Sequence, residues 1–352
     1  MADVQRQFET FIDTIKLSDE EETLREKREA VLNALDRGLK RDFAKKNQSP
    51  PKYKRFNQGS YSLKTGIKPA EGGSDYDIDV GIVFAVDERT YRDDPGVVKR
   101  WVRDALDGHT DDIRIKTPCV TVTYKAGYHV DLAVYAEPDM DFSGELPLSW
   151  GKEHASEKSW QTNNPGELKR QIAATFGETE RKQFRRVLRA LKRWRDLTYK
   201  NATGHAAPVG VGLTIAGLTL FRPQVNIFKD TQDDRLATEL FVRNLLDAFQ
   251  NYCWSEKDQA NGRRLEVRVP FAPYGDVFAR INNNNMAKLE GYLQDLLADL
   301  EAAGAAEKNT VACRHMRASF GTDFPEGEDD QEDTTENSKP RSAVLVPPHI
   351  SG

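Results

Sequence analysis

Residues 76–84 read YDIDVGIVF, and the alternation at the start of this run admits few folds. In a strand, residues two apart share a face, so Asp77 and Asp79 point one way while Ile78 and Val80 point the other, into a core. Two carboxylates on one face of a strand repel each other strongly. A counter-ion is the natural remedy, and hard oxygen ligands suit Mg²⁺ or Mn²⁺. Asp75 has the same parity but precedes the apolar flanking, so the assigned pair is Asp77 and Asp79. Taken alone, the pattern also describes a solvated strand edge.

Two further features bear on the choice. Asp131 lies between Val130 and Leu132 in a second strand-like run, 128–135, separated by Gly127 from a strand predicted over 114–124. Three acids on adjacent strands can hold two divalent ions, a pair that binds triphosphate oxygens and activates an attacking hydroxyl. Upstream, Gly59-Ser60 offers a backbone without a Cβ and a hydroxyl, suited to lying against phosphate oxygens.

The rest of the chain divides by pattern. Residues 1 to about 46 read as helical, ending before Pro50-Pro51, and a helix fits 95–106. Together with the strands this predicts a small mixed sheet with helices on one side. From about residue 166 helical periodicity dominates, interrupted only by the strand-like LEVRVP at 265–270. One of these helices, ETERKQFRRVLRALKRWRDL, carries an apolar stripe of Phe184, Val187, Leu188, Leu191 and Trp194. Its other faces hold eight cations, among them Arg185, Arg189, Lys192 and Arg193, and are expected to be mostly solvated. The expected division is 1–165 for an N-terminal helix plus catalytic core, 166–322 for a helical half, and 323–352 for an acidic disordered tail.

The 352 residues are 38% hydrophobic, enough for a substantial core. No apolar run approaches a membrane span and the N-terminus lacks a signal-peptide pattern, so a cytoplasmic protein without membrane contact is expected. Cys119, Cys253 and Cys313 lie far apart, which predicts neither disulfides nor structural zinc. Eight acidic and no basic residues between 323 and 336 leave the remainder of a chain of net charge −5 at about +3. That is too little for strong duplex binding, and nucleic acid is not an expected partner.

In combination, these elements resemble the polymerase-β-like nucleotidyltransferases, whose pattern is GS, then an apolar-flanked acidic pair, then a third Asp on a later strand. The closer likeness is to the bacterial CD-NTases, the cGAS/DncV-like enzymes. QGSYSLKT, with Gln58, Gly59, Ser60 and Thr65, is similar to that family's GSxxxxT element, and so are ALKRW at 190–194 and ASFGTDFP at 318–325. The resemblance runs from about residue 10 to 325 with four elements in order. It implies an α+β fold, a polymerase-β-like mixed sheet with helices packed on an oligoadenylate-synthase-like helical half. It also implies Asp77, Asp79 and Asp131 as catalytic metal ligands for Mg²⁺ or Mn²⁺, and Gln58, Gly59, Ser60 and Lys192 as the grip on a nucleoside triphosphate.

The implied activity joins NTPs, ATP and/or GTP, into a cyclic oligonucleotide messenger, most simply a cyclic dinucleotide, in antiphage (CBASS) signalling. A linear oligoadenylate synthase or RNA-end nucleotidyltransferase is the alternative. The C-terminal Gly352 would suit conjugation by a ubiquitin-ligase-like partner. Two features depart from the family pattern: sixteen residues separate Ser60 from Asp77, implying an extended loop at 67–74 that includes Gly73-Ser74, and PVGVGLTIAG offers only Thr214 as a hydroxyl on the next helix.

Overall fold

The fold is described from a computed structural model over residues 2–17, 21–70, 76–141, 144–226 and 231–328. Residues 71–75, which include Gly73-Ser74 and Asp75, and residues 329–352 with Gly352 lie outside the described residues.

The first half contains α1 (Gln5–Ile15), α2 (Glu21–Ala44), β1 (Tyr53–Asn57), α3 (Gly59–Leu63), β2 (Tyr76–Phe84), α4 (Gly96–Ala105), β3 (Asp112–Ile115), β4 (Val120–Tyr124), β5 (Tyr128–Ala136), β6 (Leu146–Trp150) and β7 (Ser159–Asn163). Among the described residues these seven strands form one mixed sheet, with the path β1-β2-β5-β4-β3 and with β6 and β7 continuing from β5. The pairing of β2 with β5 is parallel and the others are antiparallel.

Side-chain alternation gives the sheet two different faces. Ile78, Val80, Ile82 and Phe84 from β2, with Val130, Leu132 and Val134 from β5, are buried against Leu24, Val31, Leu32, Leu35 and Leu39 of α2 and Val98 and Val102 of α4. Nearly every one of these side chains is fully withdrawn from water, and such burial contributes about 1.5–3 kcal/mol each. The opposite face carries a smaller cluster of Val83, Ala133, Tyr135, Leu146 and Leu148 at one end. The acidic pair lies at the other end.

The second half runs through α5 (Glu167–Thr175), α6 (Glu178–Thr198), α7 (Gly210–Leu220), β8 (Val225–Asn226), β9 (Thr231–Gln232), α8 (Asp234–Asp247), β10 (Phe249–Ser255), β11 (Ala260–Leu265), α9 (Asn283–Ala305) and α10 (Asn309–Phe320). The stripe of α6 is its centre: Phe184 packs at 4.7 Å from Phe176 and 5.3 Å from Phe221 by ring centroids. The mixed α+β architecture expected from the sequence is the observed one.

Several local expectations are corrected. The strand predicted over 114–124 is two strands, β3 and β4, because the segment between them turns back, with Lys116 N–H donating to the Cys119 carbonyl across Pro118. Helical periodicity, expected to dominate up to 265, gives way at Asp247 to a hairpin of β10 and β11, so the strand expected over 265–270 is found just before it, ending at Leu265. Core packing also departs from the expected division. Phe8, Phe11 and Ile12 of α1 sit in the helical core, and Phe324 joins them, its ring 5.3 Å from Phe11, while Arg193 pairs with Asp323 at 3.1 Å. The packed body therefore extends past residue 322.

The basic faces of α6 are less solvated than the composition suggests. Arg193 is only 2% exposed, and Arg186 pairs with the buried Asp234. Surface pairs are also present, such as Lys182 with Glu178 at 3.3 Å.

Candidate active site

The site begins with a register. β2 and β5 pair so that Asp79 stands opposite Asp131 and Asp77 opposite His129. Directly opposed residues on adjacent strands face the same side, so the two acids of β2 and the one of β5 share a face despite being separated by fifty residues of chain. On the far side of β5 the register sets Thr121 of β4 opposite Asp131, and the buried Thr121 hydroxyl donates to Asp131 Oδ1.

Electrostatics follow from this crowding. Asp79 is pushed up to about 6, first by burial, then by the charges of Asp131 and Asp77, against the pull of Lys192. Among the described residues no three His, Cys, Asp or Glu side chains form a closed cation cage. The donor set still fits a hard divalent cation: three carboxylates on one face, one of them raised toward protonation by burial and then by its acidic neighbours, suit a positive ion with oxygen ligands.

Opposite the acids lies α3. Gly59 sits at φ +62°, and a Cβ there would come within 1.9 Å of Asp79 Oδ2, so only glycine lets this turn lie against the acid. Gln58 fastens the turn to the sheet: its N–H donates to the Asp79 carbonyl at 3.1 Å, and its Oε1 accepts from the Tyr135 hydroxyl at 3.2 Å. Burial pushes the Tyr135 phenol up, so it remains a donor.

Lys192 comes from α6 and is 7% exposed. Its Nζ donates to the Thr65 carbonyl at 2.8 Å and to Thr65 Oγ1 at 3.0 Å. Burial, then Arg195 and Arg189, push it down to about 7, against Asp196 and Asp79. The expected triphosphate cation therefore holds the end of the GSxxxxT element directly.

Asp77, Asp79, Asp131, Gln58, Gly59, Ser60 and Lys192 all line one cavity of about 650 Å³, between the acidic face of the sheet and the helical half. All seven residues expected from the sequence are thus brought together. Thr214 lines the same cavity, although its hydroxyl is turned back to the Gly210 carbonyl at 3.2 Å. Sequence reasoning missed Thr121, Tyr135 and the Arg195–Asp196 pair, which also reaches the cavity. The alternation TVTY in β4 could have flagged Thr121, but its partner is set by cross-strand register.

Comparison with known proteins agrees with this geometry. Residues 51–135 match the family model of the cyclic GMP-AMP synthase DncV-like nucleotidyltransferase domain. A cyclic GMP-AMP synthase of Escherichia albertii is 26% identical over 151 residues, a match spanning 41% of this chain and 32% of that relative. Among solved structures, Vibrio cholerae DncV in complex with the linear intermediate 5′ pppA(3′,5′)pG superposes with a TM-score of 0.65 at 15% identity, over 89% of this chain and 93% of that one. Bradyrhizobium diazoefficiens CdnG in complex with GTP gives 0.64 at 16% identity, over 90% and 94%. At such identities the superpositions establish the shared fold, and the domain match covers β1 to β5. The chain thus carries a DncV-like nucleotidyltransferase domain over residues 51–135 and shares the fold of DncV and CdnG.

Proposed function

We propose that this protein is a divalent-metal-dependent nucleotidyltransferase that joins NTPs into a cyclic oligonucleotide messenger. The observation that carries the reading is the Asp79–Asp131 register, which aims acids from two strands into the same cavity as Gly59, Ser60 and Lys192. The matched relatives support it: DncV holds a linear 5′ pppA(3′,5′)pG and CdnG holds GTP. ATP and GTP are accordingly the proposed substrates and a cyclic dinucleotide the proposed product.

Asp77, Asp79 and Asp131 would hold Mg²⁺ or Mn²⁺. Such ions, when bound, neutralise charge on the triphosphate and lower the pKa of an attacking hydroxyl. The chain's own residues do the rest. Ser60 and the backbone of Gly59 receive the triphosphate, on a turn that the missing Cβ allows to lie against Asp79. Lys192 uses two of its three donors on Thr65 and has capacity for a phosphate oxygen. Asp131, with one carboxylate oxygen occupied by Thr121, is suited to receive the proton of a ribose hydroxyl as it attacks the α-phosphate; pyrophosphate leaves. For a ring to close, the linear product re-enters the cavity with its ends exchanged. A role in antiphage (CBASS) signalling is proposed from family resemblance.

Pyrophosphate release from mixed NTPs tests the reaction class. We expect release with Mg²⁺ or Mn²⁺ and none in excess chelator. A protein that binds NTPs but releases nothing under any divalent ion is a nucleotide-binding module with the fold but not the chemistry.

A further inference from the structure

The carbonyls at the C-terminal end of α3 are met by a row of cations from α6. Arg185 Nε donates to the Leu63 carbonyl at 3.2 Å, Arg189 Nη2 to the Lys64 carbonyl at 2.7 Å, Lys192 Nζ to the Thr65 carbonyl at 2.8 Å, and Arg193 Nη2 to the Lys68 carbonyl at 3.0 Å. Positions 185, 189, 192 and 193 fall on one stripe of the helix, and the acceptors are nearly consecutive. A helix end leaves its last carbonyls without intrahelical donors, and α3 closes in a left-handed residue, Lys64 at φ 58°. Arg185 and Arg189 fill that need at Leu63 and Lys64, and Lys192 and Arg193 hold the carbonyls of Thr65 and Lys68 in the segment that follows. Leu63 is buried in the same core as α6 and Ile67 packs on it.

The segment that opens with Gly59-Ser60 is thus gripped at both ends by different halves of the protein. The sheet holds its start through Gln58, by the Asp79 carbonyl and the Tyr135 hydroxyl. The helical half holds its end through the cation row. Gly59, at φ +62° against Asp79, lies at the junction.

We infer that Arg185 and Arg189 are positioning residues that fix the Gly59-Ser60 turn against the acids through the carbonyls of Leu63 and Lys64. They touch no nucleotide in this account, and neither lines the main cavity. The inference rests on the proposal that this turn receives the triphosphate. It accounts for a row of cations on a half-buried helix without invoking nucleic acid, since each charge is used on a backbone acceptor. Arginine suits the task because its fork is rigid and keeps its charge when partly buried.

The test compares affinities for two probes in Mg²⁺: a non-hydrolysable ATP analogue and adenosine, which has no phosphate for the turn to hold. The double variant Arg185→Ala/Arg189→Ala is expected to weaken the triphosphate at least about tenfold, the scale of one lost hydrogen bond from a charged donor, and to leave adenosine within about twofold. Arg189→Lys in the Arg185→Ala background, which restores one cationic donor relative to the double variant, should recover most of the triphosphate affinity. If the double variant does not fold, the single variants Arg189→Gln and Arg189→Lys carry the same comparison. Equal weakening of both probes, or of neither, overturns the inference, because a merely structural row has no reason to distinguish them. Failure of the wild type to bind the triphosphate overturns instead the reading of the pocket on which the inference rests.

Discussion

Asp79→Asn is expected to lower the rate of NTP turnover by about 10³-fold or more while making the metal-free protein more stable. The two effects have one cause. Asp79 is the acid most crowded by burial and by Asp131 and Asp77, and its carboxyl stands at about 6 where 3.8 is ordinary. The charged form is therefore disfavoured by folding. Below about pH 4 the group is protonated in both folded and unfolded chains and does not oppose folding. As pH rises through 4 to 6 the unfolded chain loses its proton first, so the wild type loses stability across this window and stays at the lower level above it. Asparagine removes that cost, and in chelator the gap in Tm between variant and wild type should open between pH 4 and 7. The same charge is what a bound cation would need, and cation-assisted charge stabilisation is worth several kcal/mol, about a decade in rate for each 1.36 kcal/mol. Turnover by Asp79→Asn within tenfold of wild type would remove Asp79 from the site, and a Tm gap that is flat with pH would contradict its crowded charge.

Gly59→Ala should be nearly as damaging for a steric reason. A left-handed conformation costs a residue with a Cβ about 1–2 kcal/mol, and this Cβ would also fall 1.9 Å from Asp79 Oδ2. Either the turn or the carboxylate has to move, and the proposed site requires both. We expect turnover to fall by about 10²-fold or more with a modest fall in Tm, measured by pyrophosphate release and thermal melting. Turnover close to wild type would show that the turn has room the structure does not give it.

How far the sequence foretold this arrangement depends on whether a feature is local. Asp77 and Asp79 were legible because strand periodicity places them on one face before any partner is known. Asp131 was legible as an acid flanked by Val130 and Leu132, but its meeting with Asp79 depends on the parallel register of β2 and β5. Thr121 and Tyr135 act across strands and loops, so no spacing announced them. The cation row of α6 was visible as composition yet read as solvated, since its acceptors are backbone carbonyls, which leave no mark on the sequence. The same limit explains the strands that were missed. β6, LPLSW, has a proline at its second position, and β7, SWQTN, is mostly polar, so neither alternates like an independent strand. β10 follows α8 after a single residue, and nothing in FQNYCWS breaks the helical pattern sharply.

The central claim is that a cavity built from the acidic face of the sheet, the Gly59 turn and the helical half closes NTPs into a ring. Mass spectrometry of products from ATP, GTP, CTP and UTP with Mg²⁺, before and after phosphatase, tests it most directly. The account predicts a phosphatase-resistant product whose mass is that of a cyclic oligonucleotide, absent with Asp79→Asn. Linear products alone, all degraded by phosphatase, would contradict it.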